Sequence, residues 1–304
     1  MLDPRPIIEF VGDVSDVPSG LHLVAGLTGF TDAGSAVAQL TEELRGSSEL
    51  REIAVFDNDA LLDYRARRPV MFFDEDHLSE YTPPRISLSI AHDELHRPFL
   101  FLSGYEPDFR WEEFTREVVA LVQRFEVASV TWINAIPMPT PHTRPLGVTV
   151  SGNRTELVES LSLWRPRTQV PGNVLHLLEY RLSEAGASTA GFVLLVPHYL
   201  ADTEYPQAAV AALENISAAT GLIFPTDRLR EAGREFIQKV DEQVQGNEEL
   251  ERLVATLEQR HDTYMEENPL PSPLVDEDGE VPSADTIAAE LERFLATRRE
   301  DPTA

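Results

Sequence analysis

Leu21-His22-Leu23-Val24-Ala25-Gly26-Leu27-Thr28, continued by Gly29-Phe30-Thr31-Asp32 and a helical pattern over residues 33–44, is the passage on which the fold turns. The first run is apolar, shorter than a helix needs and interrupted by glycine, so it predicts a strand. Thr31 and Asp32 offer side-chain oxygens that can cap the helix which follows. Strand, loop and helix in this order open an α/β domain. Similar short runs recur at residues 52–56, 85–91, 98–102, 128–133, 147–150 and 191–196. Several are apolar throughout, the pattern of strands buried on both faces. Helical patterns at 111–125, 173–185 and 206–220 alternate with them, which predicts a three-layer α/β/α sandwich. The runs at 85–91 and 98–102 are close enough to pair as an antiparallel hairpin, so the central sheet is expected to be mixed.

The character changes after Phe224. Leu229, Phe236, Ile237, Val240 and Val244 form one helical stripe, and Leu250, Leu253, Val254, Leu257 and Tyr264 form another, with Gly246-Asn247 as the turn between them. The organisation expected is an α/β core at 1–225, a helical hairpin appendage at 226–267, and an acidic, proline-containing linker with a short terminal helix at 268–304. From Thr226 onward 9 basic residues face 21 acidic ones, a net charge of -12.

Composition narrows the function classes. The chain carries 25 basic and 52 acidic residues, a net charge of -27, which repels phosphate backbones and anionic lipid, so neither nucleic acid nor membrane is an expected partner. It has no cysteine, which excludes disulfides, thiolate metal sites and cysteine nucleophiles. Lys239 is its single lysine, so Schiff-base and Walker-type chemistry have almost no material. Met1-Leu2-Asp3-Pro4-Arg5-Pro6 lacks a basic segment leading into an apolar one, and a cytoplasmic location is the expectation. No motif calls for a metal or an organic cofactor.

The loop with Thr31 and Asp32 lies where nucleotide folds bind phosphate, but it has neither G-x-G-x-x-G nor G-K-[ST]. A capped turn and an anion-binding loop both fit it. Pro137-Met138-Pro139-Thr140-Pro141-His142-Thr143-Arg144-Pro145 follows the strand at 128–133 and presents His142 as a candidate base and Arg144 as an anion clamp. His198, Asp202 and Tyr205 stand at the end of the strand at 191–196 and can gather on the same sheet edge. Asp63-Tyr64-Arg65-Ala66-Arg67-Arg68-Pro69 is the one basic cluster, suited to an acidic surface on a neighbouring subunit. Glu106 and Asp108 can act as paired carboxylates or as helix caps, and Asp108 is placed to cap the helix at 111–125. His92-Asp93-Glu94-Leu95-His96 imitates a zinc motif, but between two strand-like runs and before Pro98 it is expected to be an exposed hairpin loop. G-x-S-x-G is absent.

Taken in order, Gly29-Phe30-Thr31-Asp32-Ala33-Gly34, the segment from Asp63 to Pro69, Gly104-Tyr105-Glu106-Pro107-Asp108, Pro141-His142-Thr143-Arg144 and His198-Tyr199-Leu200 resemble the actinobacterial branch of the proteasome assembly chaperone 2 family over residues 5–265. The resemblance implies a phosphorylase/hydrolase-like α/β/α sandwich and homo-oligomers, specifically trimers. It also implies protein partners, since eukaryotic relatives are chaperones for proteasome α-rings. It supplies no catalytic residues. Two functions stay open: a non-catalytic binding and assembly protein, whose ligand-contacting candidates are Thr31, Asp32, Arg65, Glu106, Arg144 and Tyr205, or a phosphorylase/hydrolase-like enzyme on a small anionic substrate with His142 or His198 as base.

Overall fold

A computed structural model of the chain describes residues 6–47, 50–165 and 167–268. Its strands are β1 (Ile8–Phe10), β2 (His22–Thr28), β3 (Arg51–Phe56), β4 (Val70–Asp74), β5 (His77–Thr82), β6 (Ser87–His92), β7 (Pro98–Tyr105), β8 (Ser129–Met138), β9 (Gly147–Gly152) and β10 (Thr189–Pro197). The helices are α1 (Ala36–Ser47), α2 (Asn58–Leu61), α3 (Trp111–Arg124), α4 (Thr155–Leu161), α5 (Val174–Glu184), α6 (Pro206–Thr220), α7 (Asp227–Gln245) and α8 (Glu248–Glu267). Eight strands form one sheet in the order β1-β3-β6-β7-β2-β8-β10-β9, and β4 pairs with β5 in a separate two-stranded ribbon. β7, β2, β8 and β10 run parallel to one another, while β6, β3, β1 and β9 are antiparallel to their neighbours. The sheet is mixed, as the hairpin of β6 and β7 predicts.

The apolar strands supply two cores. Alternate residues of β2 divide between them: Val24 packs with Val37 and Leu40 of α1 and with α6, whereas Leu23, Ala25 and Leu27 pack with Phe114 and Val118 of α3 and with α5. That is the three-layer sandwich, with α1, α6 and α7 on one face and α3 and α5 on the other. Two glycines make room for close contacts, Gly26 for α1 and Gly191 for the indole on the adjacent strand. A Cβ on Gly26 would lie 3.0 Å from Val37, and one on Gly191 would lie 2.1 Å from the Trp132 indole.

Two helices, α7 and α8, follow the sandwich. Asn247 caps α8 by accepting from the backbone N–H groups of Glu249 (2.9 Å) and Leu250 (3.3 Å), and Tyr264 donates to the Leu163 carbonyl at 3.0 Å. The expected linker and terminal helix lie outside the described residues, apart from Asn268. The elements not legible were β1, α2, α4 and the two strands of the β4–β5 ribbon. β8 also continues to Met138, so Pro137 belongs to a strand and not to the loop. The β2–β8 ladder stops at Ile133, and past the single bridge of Asp32 with Ala135 that side of β8 has no strand neighbour, which allows a residue without an N–H.

On the α1 face, the outer half of the sheet is not fully covered. α1 lies over β2 and β8, and the short α2 does not replace it. Leu88 and Ile90 of β6 enter the α3–α5 core, so Ser87 and Ser89, with Ser103 of β7, point the other way. They floor a trough of about 1570 Å³ walled by α1 and by the base of the β4–β5 ribbon.

Candidate functional site

The carboxyl ends of β2, β7, β8 and β10 share one edge, where an open α/β sheet places its ligands. After β2 the chain makes a turn held from inside. Asp32 pairs as an isolated parallel bridge with Ala135, and its carboxylate accepts from the N–H groups of Val37 (2.7 Å) and Ala38 (3.0 Å). It is therefore the cap of α1. Burial raises its pKa while these backbone bonds oppose the shift. Gly29 has φ +120°, and a Cβ there would sit 2.9 Å from the Arg67 guanidinium, so the turn admits only glycine beside that arginine. Thr31 Oγ1 is buried with no hydrogen-bond partner among the described residues.

After β7, Glu106 is buried and accepts from the Val174 N–H at 2.7 Å, capping α5; its pKa is raised by burial, with Arg67 opposing. Asp108 does not cap α3 as expected. The residue before α3 is Arg110 in the left-handed region at φ 58°, and Asp108 instead accepts from the Asp63 N–H at 2.7 Å and pairs with Arg67. Arg67 also lies over the Tyr105 ring, 5.6 Å from its centroid. The carboxylates of Glu106 and Asp108 thus serve two structural ties, one to α5 and one to the basic loop. Arg65 stays exposed, 3.5 Å from Asp63.

The loop after β8 is a clamp. The His142 side chain is 1% exposed. Its backbone N–H donates to the Tyr199 hydroxyl at 2.8 Å, and Nδ1 lies 2.6 Å from the same oxygen. The Asp241 carboxylate of α7 can only accept, so Nε2, 3.0 Å from it, carries the hydrogen, and in the neutral imidazole the bare Nδ1 accepts the Tyr199 phenol proton. Thr143 donates to Glu258 of α8 at 2.5 Å. Arg144 makes a two-pronged contact with Asp262 at 2.8 and 2.7 Å and a third with Glu258 at 3.2 Å. These partners hold Asp262 at a pKa of about 2 and push the Arg144 pKa upward. The groups that suggested anion capture hold the appendage against the core.

After β10, His198 is exposed with Nδ1 3.4 Å from the Met138 carbonyl, and its ring stands edge-on to Tyr199 at 5.4 Å. Tyr205 is buried against Phe236 of α7 (5.6 Å), and burial pushes its phenol to a pKa of about 12. Its backbone N–H donates to the Gly34 carbonyl at 2.9 Å, tying the β10 loop to the β2 turn. The structure therefore ties Tyr205 to Gly34, two residues past Asp32 in the β2 turn, and brings His142, Tyr199 and His198 together. Glu106 belongs to the opposite face and Arg65 to an outer loop. Asp93, expected in an exposed loop, is buried: it accepts from the N–H groups of Leu95, Arg97 and Ile223 and pairs with the Arg97 side chain, so the β6–β7 turn is built around it. Among the described residues no group of three or more metal-binding side chains is assembled, and no helix is long and apolar enough to cross a membrane.

What residue reading missed is a surface. On β4 and β5, Val70 (74% exposed), Met71, Phe72, Phe73 (66%), Leu78 and Tyr81 all face outward, and Phe30, Tyr105 and Phe109 are exposed at the neighbouring strand ends. The opposed pairs Phe73 with Leu78 and Asp74 with His77 set the ribbon's register. The available signal was two short β-forming runs around Asp74-Glu75-Asp76.

The PAC2 family profile matches residues 26–244, most of the chain. The chain belongs to the PAC2 family. A protein of unknown function from Corynebacterium glutamicum superposes with a TM-score of 0.82 at 34% identity, covering 87% of this chain and 100% of that one. The Mycobacterium tuberculosis protein of unknown function Rv2714 gives 0.80 at 38%, with 87% and 91% covered. The M. tuberculosis proteasome-assembly chaperone homologue Rv2125 gives 0.70 at 25%, with 77% and 100% covered. No curated protein matches the sequence. The PAC2 sandwich is thus confirmed, with helices α7 and α8 packed at its carboxyl edge.

Proposed function

We propose that this PAC2 protein is a non-catalytic assembly factor that acts as a homotrimer in the cytoplasm on protein partners, proteasome subunits foremost. One observation carries the reading: in a chain of net charge -27, the β4–β5 ribbon exposes apolar and aromatic side chains on both faces. An isolated two-stranded ribbon is marginally stable in water, and exposed apolar patches of this kind mark protein contacts. Under this reading the ribbon mediates association between copies, and the exposed Phe30, Tyr105 and Phe109 with Arg65 receive the client, since aromatic and arginine side chains dominate binding energy at interfaces. Family membership adds support, because one solved relative is described as a proteasome-assembly chaperone homologue. The enzyme alternative has less geometric support: both ring nitrogens of His142 are occupied, and Asp32 and Glu106 cap helices.

The test is reconstitution of proteasome core particles from separate α and β subunits of the same organism, with and without this protein. Faster appearance of full particles, and loss of that acceleration in Phe30→Ala/Phe109→Ala, is the expected result. Unchanged assembly together with no retention of either subunit type at moderate salt would remove the proposal.

A further inference from the structure

The trough lies over β6 and β7 on the α1 face, where the third layer of the sandwich is missing. Its floor is made of small side chains, Ser87, Ser89 and Ser103, and it offers the apolar surfaces of Val11, Leu50 and Tyr105. Arg51, Arg67 and Arg85 pair with Asp16, Asp108 and Glu52, and the other lining charges, Arg45 and Arg68 with Glu42 and Glu204, cancel. So a chain of net charge -27 keeps one electrically balanced hollow on its sheet. At about 1570 Å³ the hollow exceeds the roughly 300–1,000 Å³ of a small-molecule pocket. β6 and β7, with 6 and 8 residues, run beneath it for about 20 and 26 Å. A single helix of about 14 residues, about 21 Å long, matches that floor.

We infer that residues 283–296 of the same chain fill the trough as a helix laid along β6 and β7. Beyond the described residues, only the run after Asn268 is long enough to do so. In it Ala284, Ile287, Leu291, Phe294 and Leu295 recur with helical spacing after Ser283, a residue suited to capping. That stripe supplies the apolar cover for Val11, Leu50 and Tyr105, and the serine floor lets a helix sit close. Charge agrees: from 283 to 299 the acids Asp285, Glu290 and Glu292 are matched by Arg293, Arg298 and Arg299, so a balanced segment meets a balanced trough. The run Asp276-Glu277-Asp278 before it is purely acidic and has no counterpart there. Residues 269–282 can span at most about 46–50 Å, and a domain of this size has a radius of gyration of about 18 Å, so the tether reaches. A tethered segment acts at an effective concentration on the order of millimolar, which favours it over the same segment of a second copy at micromolar concentration. The inference goes beyond the assembly reading and does not depend on it.

The absence of native cysteine allows a direct test by disulfide trapping in the full chain at micromolar concentration. Ala38 is exposed on α1 and lines the trough, and Tyr180 is exposed on α5, on the opposite face of the sheet. On mild oxidation Ala38→Cys/Leu291→Cys should close an intramolecular disulfide at least 10-fold faster than Tyr180→Cys/Leu291→Cys. Adding Ile287→Asp/Phe294→Asp, which touches no described contact, should remove that advantage and leave the circular dichroism of the core unchanged. Equal rates for the two cysteine pairs would overturn the inference. So would an advantage that survives the aspartates, since it would then come from the tether alone. Copies carrying Ala38→Cys and Leu291→Cys singly are mixed as the last control. Linked dimers forming there as fast as the intramolecular bond would give the trough to the segment of a second copy and overturn the assignment to the same chain.

Discussion

The loop from Pro137 to Pro145 and the ribbon of β4 and β5 are opposites. The loop holds the side chains that chemistry favours, His142, Thr143 and Arg144, and each of them has a partner inside the molecule. The ribbon's apolar side chains, from Val70 to Phe73 and at Leu78, have no chemistry to offer, and they stand exposed. A histidine and an arginine beside a strand end suggest a site, but whether they are available depends on what the rest of the chain brings to them. Here it brings α7 and α8, and the unsatisfied surface lies instead on a ribbon of phenylalanine and leucine.

Replacing the buried imidazole should produce the largest effect. His142→Ala removes a ring that links Tyr199 to Asp241, leaves the phenol with one partner fewer and opens a cavity under α7. Loss of buried contacts and of hydrogen bonds together costs about 2–4 kcal/mol. Denaturant unfolding should report that loss, and limited proteolysis should cut first within α7 and α8. A variant as stable and as protected as the wild type would mean that the loop is not the clamp described here, and would restore His142 to the list of available groups.

Glu179 of α5 extends the contrast to a residue that the sequence did not single out. Its Oε2 accepts from the Trp132 indole (2.8 Å) and from Ser151 (2.7 Å), and burial raises its pKa above the ordinary carboxylate range. A raised folded-state pKa means that folding favours the protonated acid, so stability should fall as pH rises from the unfolded value through the folded one. Glu179→Gln keeps an acceptor for both donors and cannot ionise. It should match the wild type in acid, exceed it at neutral pH by a smaller margin than His142→Ala loses, and flatten that part of the pH profile. Thermal melts from pH 4 to 8 decide it, and parallel profiles would show that Glu179 has no such shift.

The same contrast explains what was legible. Strands buried on both faces and helices with one apolar stripe have a period, so β2, β7, β8, β10, α1, α3, α5 and α6 could be read directly. The ribbon has no inside, hence no alternation, and its runs of 5 and 6 residues carry no periodic signal. The clamp failed for a different reason. Asp241, Glu258 and Asp262 lie 99, 115 and 118 residues from their partners, in helices where every exposed position is a plausible acid. His142 and Arg144 could be found by type and place, but their employment could not. Capping was easier, because Asp32 acts within its own segment, whereas Glu106 caps a helix 68 residues away.

The ribbon supplies the smallest stability change and the sharpest test of the contrast. Phe73 and Leu78 face each other across the ribbon but are exposed in the single chain, so Phe73→Ser/Leu78→Ser removes little buried surface. Substitutions at such positions usually stay within about 0.5 kcal/mol. In a dilute, monomeric sample the unfolding midpoint should therefore hardly move, while at the concentration where the wild type associates the variant should remain monomeric. Stability would then depend on concentration in the wild type alone, since association draws the equilibrium toward the folded chain. A large loss at high dilution would show that the ribbon packs on its own subunit, and the division between an inward loop and an outward ribbon would no longer hold.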